Sequence, residues 1–244
     1  MDNKLTNSER FINTYNRLDK YMRKYSTKDY YESHSSLIDT MVRRGDVLFK
    51  KHCETLKQFA KLRNAIVHSP VDNDSRAIAE PHDKVVEGYE KFLEIVINPP
   101  LAIDKMSIPD KKIYKTYLNS NAFEVIDIMK KNMYSHVPVV EDNKLIGVFS
   151  ENAIFSYIAD KDVVTIDKNT KISHFSDYIP IDRHTTEKFI FTHRKTTVAE
   201  IDDMFQDEYK DNKRLGAIFI TENGKENEKI LGLVTPWDIA SYDD

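Results

Sequence analysis

Two stretches hold side chains whose types and spacing could do chemistry. The first is Arg63-Asn64-Ala65-Ile66-Val67-His68, closing an apolar-periodic segment. Imidazole moves protons near neutral pH, and a guanidinium stabilises charge developing on a phosphoryl oxygen. On a helix Asn64 and His68 are i,i+4 and share a face. Arg63 and His68 are five apart, about 140° around the axis. They converge only if the long arginine wraps, or if a second copy of the chain supplies one group. In the last turn the helix dipole favours imidazolium, which suits a general acid and equally a C-terminal cap. In a purely structural role Asn64 and His68 bond loop backbone and Arg63 pairs with Asp72 or Asp74. The second stretch is Gly232-Leu233-Val234-Thr235-Pro236-Trp237-Asp238. A hydroxyl and backbone N–H groups opening a helix suit an anion, and a carboxylate three residues on can accept two O–H bonds. The same two residues also make an ordinary N-cap and a first-turn acid.

The remaining inventory excludes other chemistry. A single cysteine leaves no intrachain disulfide framework and no CxxC metal or redox motif. The other histidines, His34, His52 and His82 among them, lack metal-ligand spacing, so no metal site is expected. Six glycines scattered over 244 residues provide neither a Gly-rich phosphate loop nor a GxGxxG turn. The net charge of −4 argues against a dedicated DNA-binding protein. It is unevenly spread: residues 1–98 carry 17 Lys+Arg and 15 Asp+Glu, residues 99–244 carry 19 and 25. RNA remains a candidate partner, though the charge does not point to it. No apolar stretch approaches the roughly 20 residues of a membrane span. The first ten residues are polar, with no signal-peptide core. A cytoplasmic location is the expectation.

The elements that must position these groups fall into two textures. Residues 1–98 read as four amphipathic helices. Phe11, Tyr15, Leu18, Met22 and Tyr25 form one stripe behind a Thr6/Glu9 capping box. Leu37, Ile38, Met41 and Val42 form a second, stopped by Gly45. A third, capped near Asp46, carries Val47 to Val67 and ends at Ser69-Pro70 before a polar loop, Asp72 to Ser75. A fourth carries Val85 to Val96 and stops at Asn98-Pro99-Pro100. Beyond Pro100, Val137–Val140 pairs with Leu145–Phe149, and Ala217–Ile220 with Ile230–Val234, as two hairpins. A helical segment precedes each. Phe123-x-x-Ile126-Asp127-x-Met129 matches Val198-x-x-Ile201-Asp202-x-Met204, and Gly147 falls on Gly232, so the second part repeats itself.

That repeat resembles a pair of CBS domains, over roughly residues 101–244. The resemblance rests on Val137-Pro138-Val139-Val140 with Gly147-Val148-Phe149-Ser150, and on Ala217-Ile218-Phe219-Ile220 with Gly232 to Asp238. It implies two β-α-β-β-α units about a pseudo-twofold axis, with clefts for adenosine-type ligands. In that family the hydroxyl of a G-h-x-[ST]-x-x-[DN] segment meets a phosphate and its acid meets the ribose hydroxyls. Gly232, Thr235 and Asp238 match in full. Gly147 and Ser150 match, but Ala153 replaces the acid, so at most one good nucleoside site is expected, in the second half. Thr192, at the end of Phe189-Ile190-Phe191, and Arg214 are candidates for the phosphate and the base rim. His193-Arg194-Lys195 could meet phosphates or be a solvated turn.

The Arg63…His68 stretch resembles the R-x4-6-H motif of HEPN helical domains, with Asn64 in the polar position, over perhaps residues 6–98. Catalytic members of that superfamily are metal-independent ribonucleases. The resemblance implies His68 as proton shuttle and Arg63 as charge stabiliser, with motifs paired across a dimer. The expectation is therefore an α+β chain: a four-helix bundle over 1–98, then CBS repeats at 101–180 and 181–244. Its function would be regulatory. A homodimer's CBS pair would bind AMP, ADP, ATP, S-adenosylmethionine or cyclic di-AMP and control the helical domain. The alternatives are a ribonuclease gated by that module, and a scaffold with neither ligand nor activity.

Overall fold

The computed structural model describes residues 5–26, 30–67, 79–161, 163–206 and 213–242. The chain divides into two compact units, Met1–Pro99 and Pro100–Asp244. In the first, four helices share one apolar core: α1 (Asn7–Arg23), α2 (His34–Arg43), α3 (Val47–Val67) and α4 (Asp83–Ile97). Thr6 opens α1 through a reciprocal cap: Thr6 Oγ1 accepts from the Glu9 N–H at 3.2 Å and Thr6 N–H donates to Glu9 Oε2 at 2.8 Å. Asp46 accepts from the Phe49 N–H at 3.2 Å and so opens α3. Gly45, at φ +82°, releases the chain from α2 into that cap. Phe11, Leu18, Leu37, Phe49, Leu56, Tyr89 and Leu93 are buried between the helices. Tyr89 meets Phe11 and Phe59 at ring distances of 5.2 and 4.7 Å. The expected Ser69-Pro70 stop and the Asp72 to Ser75 loop lie outside the described residues. Thr6→Ala leaves first-turn N–H groups bare, and it should lower the urea midpoint of the helical transition by an amount equivalent to about 1 kcal/mol.

The second unit runs α5 (Ala102–Lys105), β1 (Ile108–Pro109), α6 (Ala122–Asn132), β2 (His136–Glu141), β3 (Lys144–Ser150), α7 (Glu151–Ala159), β4 (Glu187–His193), α8 (Val198–Gln206), β5 (Arg214–Thr221), β6 (Gly232–Val234) and α9 (Pro236–Ala240). One sheet has the order β1-β6-β5-β4 and the other is the β2-β3 hairpin. Asp142 and Asn143 turn that hairpin with positive φ of 49° and 62°, the conformation a two-residue turn requires. The second half keeps the β-α-β-β-α order. The first half departs from it. Its leading strand is a single bridge at Thr116, which donates to Pro138 C=O and accepts from Val140 N–H, both at 2.9 Å. The lead-in Ile108–Pro109 pairs instead with β6, antiparallel. Pro109 has no N–H to extend a ladder, and the chain coils at Asp110–Lys112 immediately after it.

The crossing is reciprocal. Leu101 bridges Thr197 at the start of α8, and Lys171 bridges Asn121 at the start of α6. Ile179, leading into the second half, accepts from the Val148 N–H of β3 at 2.9 Å. These close approaches explain both repeat glycines. A Cβ at Gly147 would sit 2.6 Å from the Ile179 carbonyl carbon, and one at Gly232 would sit 2.7 Å from Ser107 Oγ. Between the two sheets, Val140, Leu145 and Val148 meet Phe189, Ala217, Phe219 and Leu233 in a shared core. Ile218 and Ile220, alternating with Ala217 and Phe219 along β5, face the other way, onto Ile201 and Ala102.

Candidate functional site

Thr235 ends β6 and caps α9. Its N–H and its hydroxyl both donate to Asp238 Oδ2, each at 2.7 Å. Asp238 is thus held by one oxygen, and among the described residues no hydrogen bond reaches its Oδ1. Both residues are half-buried, beside an exposed Trp237. The registers place the other candidates. Thr192 pairs with Ile220, and Ile220 with Gly232, so Thr192 and Gly232 flank β5 at one level. Because β6 runs antiparallel to β5, Thr235 lies further toward the end of the sheet where Arg214 opens β5. Arg214 is exposed there. Thr235 therefore stands midway along β5, between the levels of Arg214 and Thr192. Thr192 lies at the end opposite Arg214, and its buried hydroxyl is tied to Thr196 Oγ1 at 2.5 Å. His193-Arg194-Lys195 forms a solvated turn, with Arg194 donating to Glu222 at 3.2 Å.

The first half handles the equivalent position differently. Ser150 caps α7, accepting from the Ala153 N–H at 3.0 Å, and Ala153 fills the place of the acid. The Ser150 hydroxyl donates to Glu187, the first residue of β4. Glu187 also accepts from His184 Nδ1 at 2.8 Å, His136 Nε2 at 2.9 Å and Asn152 Nδ2 at 2.8 Å. Glu187 is only 3% exposed. Burial alone would push its carboxyl up, but the bonds from His136, His184, Ser150 and Asn152 outweigh it and hold the group well below the usual carboxylate range. His136 Nδ1 lies 2.9 Å from Ser135 Oγ, and His184 Nε2 lies 3.2 Å from the Ile179 carbonyl. His184 thus has an oxygen within hydrogen-bond reach of each ring nitrogen. Sequence reasoning missed this cluster: His136 and Glu187 open two strands 51 residues apart and His184 lies in the segment before β4, so only Ser150 signalled it.

In the helical unit, Arg63 and Asn64 lie on the last turn of α3, and His68 lies outside the described residues. Arg63 stacks over Tyr15, 5.4 Å from its ring centre, and its Nη1 reaches Asn64 Oδ1 at 3.4 Å. Tyr15 stacks in turn on the buried His34 at 3.8 Å, and His34 Nδ1 lies 2.9 Å from Asp19. Arg63 is thus anchored by a stack the sequence did not announce. Asp72 and Asp74, its other expected partners, are also outside the described residues. A surface groove runs along α1 and α4, lined by Arg10, Arg17, Lys20, Glu90, Lys91 and Glu94, without Arg63 or Asn64. Among the described residues no cluster of His, Cys, Asp or Glu is placed to hold a metal ion, and no helix is long and apolar enough to cross a membrane.

Residues 105–160 match the family model for the CBS domain. No curated protein matches the chain. Similar solved structures include a CBS domain protein from Streptococcus pneumoniae TIGR4, at 15% identity over 66% of this chain and 90% of that one, with a TM-score of 0.44. CbpB in complex with c-di-AMP is similar at 18% identity over 62% of this chain and 88% of its own, with a TM-score of 0.44. The CBS domain pair of protein MJ0100, in complex with 5′-methylthioadenosine and S-adenosyl-L-methionine, shows 18% identity over 59% and 94%, with a TM-score of 0.39.

Proposed function

We propose, with a CBS domain at residues 105–160 as the premise, that the chain is a regulatory sensor. Its two repeats, 101–180 and 181–244, form a CBS pair that binds one adenosine-type ligand, in the second half. The observation that carries this is the state of Asp238. Thr235 orders the carboxylate through Oδ2, and Oδ1 keeps its capacity to accept. A ribose diol is the kind of group that would use it. The first half supports the same reading by contrast, because Ala153 offers no acceptor and the Ser150 hydroxyl is committed to Glu187. Arg214, exposed at the head of β5, supplies positive charge to a phosphate. Gly232 serves the site through its backbone alone. Thr192, turned onto Thr196 at the far end, would contribute least.

The ligand class includes AMP, ADP, ATP, S-adenosylmethionine and cyclic di-AMP. The helical unit, HEPN-like in its Arg63 and Asn64, is the effector, and the working form is a homodimer. Control requires the ligand to prefer one arrangement of the module over another. Calorimetric titration tests the site. Wild type should bind at least one of these ligands, and Asp238→Ala should weaken that binding about 10- to 100-fold, as expected for hydrogen bonds to a charged group. Unchanged affinity in Asp238→Ala would place the ligand elsewhere.

A further inference from the structure

We infer that the first half of the Pro100–Asp244 unit contains a carboxylate-binding site already filled by the chain's own Glu187. The donor set is complete. Oε1 receives the Ser150 hydroxyl and His184 Nδ1, and Oε2 receives His136 Nε2 and Asn152 Nδ2. An ionised carboxylate has about four lone-pair sites, and here each has a donor. The donors come from β2, β3, α7 and the segment before β4, so a receptor is assembled mostly from the first half and its connection. Glu187 itself stands at the head of β4, three residues after His184. The surrounding charges agree with an anion. His184 faces acceptors at both ring nitrogens, Lys213 Nζ donates to the His184 carbonyl at 2.8 Å, and Arg214 is the backbone partner of Glu187 in the β4–β5 register. A narrow crevice lined by Asn152, Ala153, Ser156, Arg183 and His184 lies beside the cluster.

The ligand class is a monocarboxylate, and Glu187 is its tethered form. This holds whether or not the second half binds a nucleotide. The fold uses the occupied site to tie the hairpin of one repeat to the sheet of the other.

Chemical rescue of the full-length chain tests it. Glu187→Ala vacates the carboxylate and leaves the donors. Its thermal midpoint should fall by about 5–15 °C, the scale expected for one broken buried charge cluster. Sodium formate, and acetate less well, should raise that midpoint saturably at tens of millimolar, beyond the effect of sodium chloride at equal ionic strength. Wild type should not respond. Adding Ser150→Ala and Asn152→Ala should remove the rescue. If Glu187→Ala does not fold, refolding in formate against chloride gives the same answer: recovery in formate alone supports the site. Formate acting no better than chloride, failing to restore folding, or stabilising wild type equally would overturn the assignment.

Discussion

Gly147→Ala should destabilise the second unit by about 3 kcal/mol, seen as a lower urea midpoint for that unit's transition. The cost has two parts. An added Cβ would stand 2.6 Å from the Ile179 carbonyl carbon and closer still to its oxygen, and backbone on both sides cannot yield as a flexible side chain would. Overpacking of this kind costs about 1–3 kcal/mol. Moving Ile179 away would also stretch its bond from the Val148 N–H, worth about 1 kcal/mol. Gly232→Ala makes the useful contrast. Its nearest obstacle is the Ser107 hydroxyl, which can rotate, so the loss there should be clearly smaller. Equal losses at the two positions would mean that the Ile179 crossing is not as tight as described.

The second large effect is acid sensitivity through Glu187. Its carboxyl titrates below the ordinary range in the folded chain, so folding is favoured when it is ionised. That stability is fully present above the unfolded carboxyl value of about 4.3 and is lost progressively as the pH falls below it. Glu187→Gln keeps the shape, removes the charge and leaves His184 facing an uncharged amide. At pH 7 it should lose about 3–5 kcal/mol relative to wild type. As the pH drops from 5 toward 3, the urea midpoints of the two proteins should converge, because wild type alone gives up this term. A gap that stays constant across that range would show that Glu187 is not the titrating group.

Much of the fold was legible because its signals are local. The Thr6/Glu9 box, the Gly45 stop and the Asp46 cap each concern residues within one turn, and apolar periodicity fixed which faces are buried. The hairpins were legible through short apolar runs around polar connections, a tight one at Asp142-Asn143 and a longer one after Thr221. The leading strand of the first half was not. Whether Thr116 or Ile108 pairs, and with which sheet, depends on how the lead-in segment crosses the other repeat, and no local pattern encodes that. The candidate site divides in the same way. Thr235, Asp238 and the Ser150/Ala153 contrast could be read from spacing. Glu187, His136, His184 and Asn152 meet from four separate elements, and the Tyr15–His34 stack beneath Arg63 joins three helices. Such contacts are tertiary, and their residues look unremarkable in a row of letters. The two glycines also changed meaning. As letters they marked a motif, whereas in the fold they mark where each repeat is crossed by the other's lead-in segment.

On the proposed function, each chain holds a single adenosine-type site, in the second half. Native mass spectrometry of the wild-type protein with AMP, ADP, ATP, S-adenosylmethionine or cyclic di-AMP counts it directly. One ligand per chain should bind for at least one of these at about 100 μM, equivalent to about −5.5 kcal/mol or better, with no second ligand at higher concentration. Two ligands per chain, or none with any of the five, would contradict it.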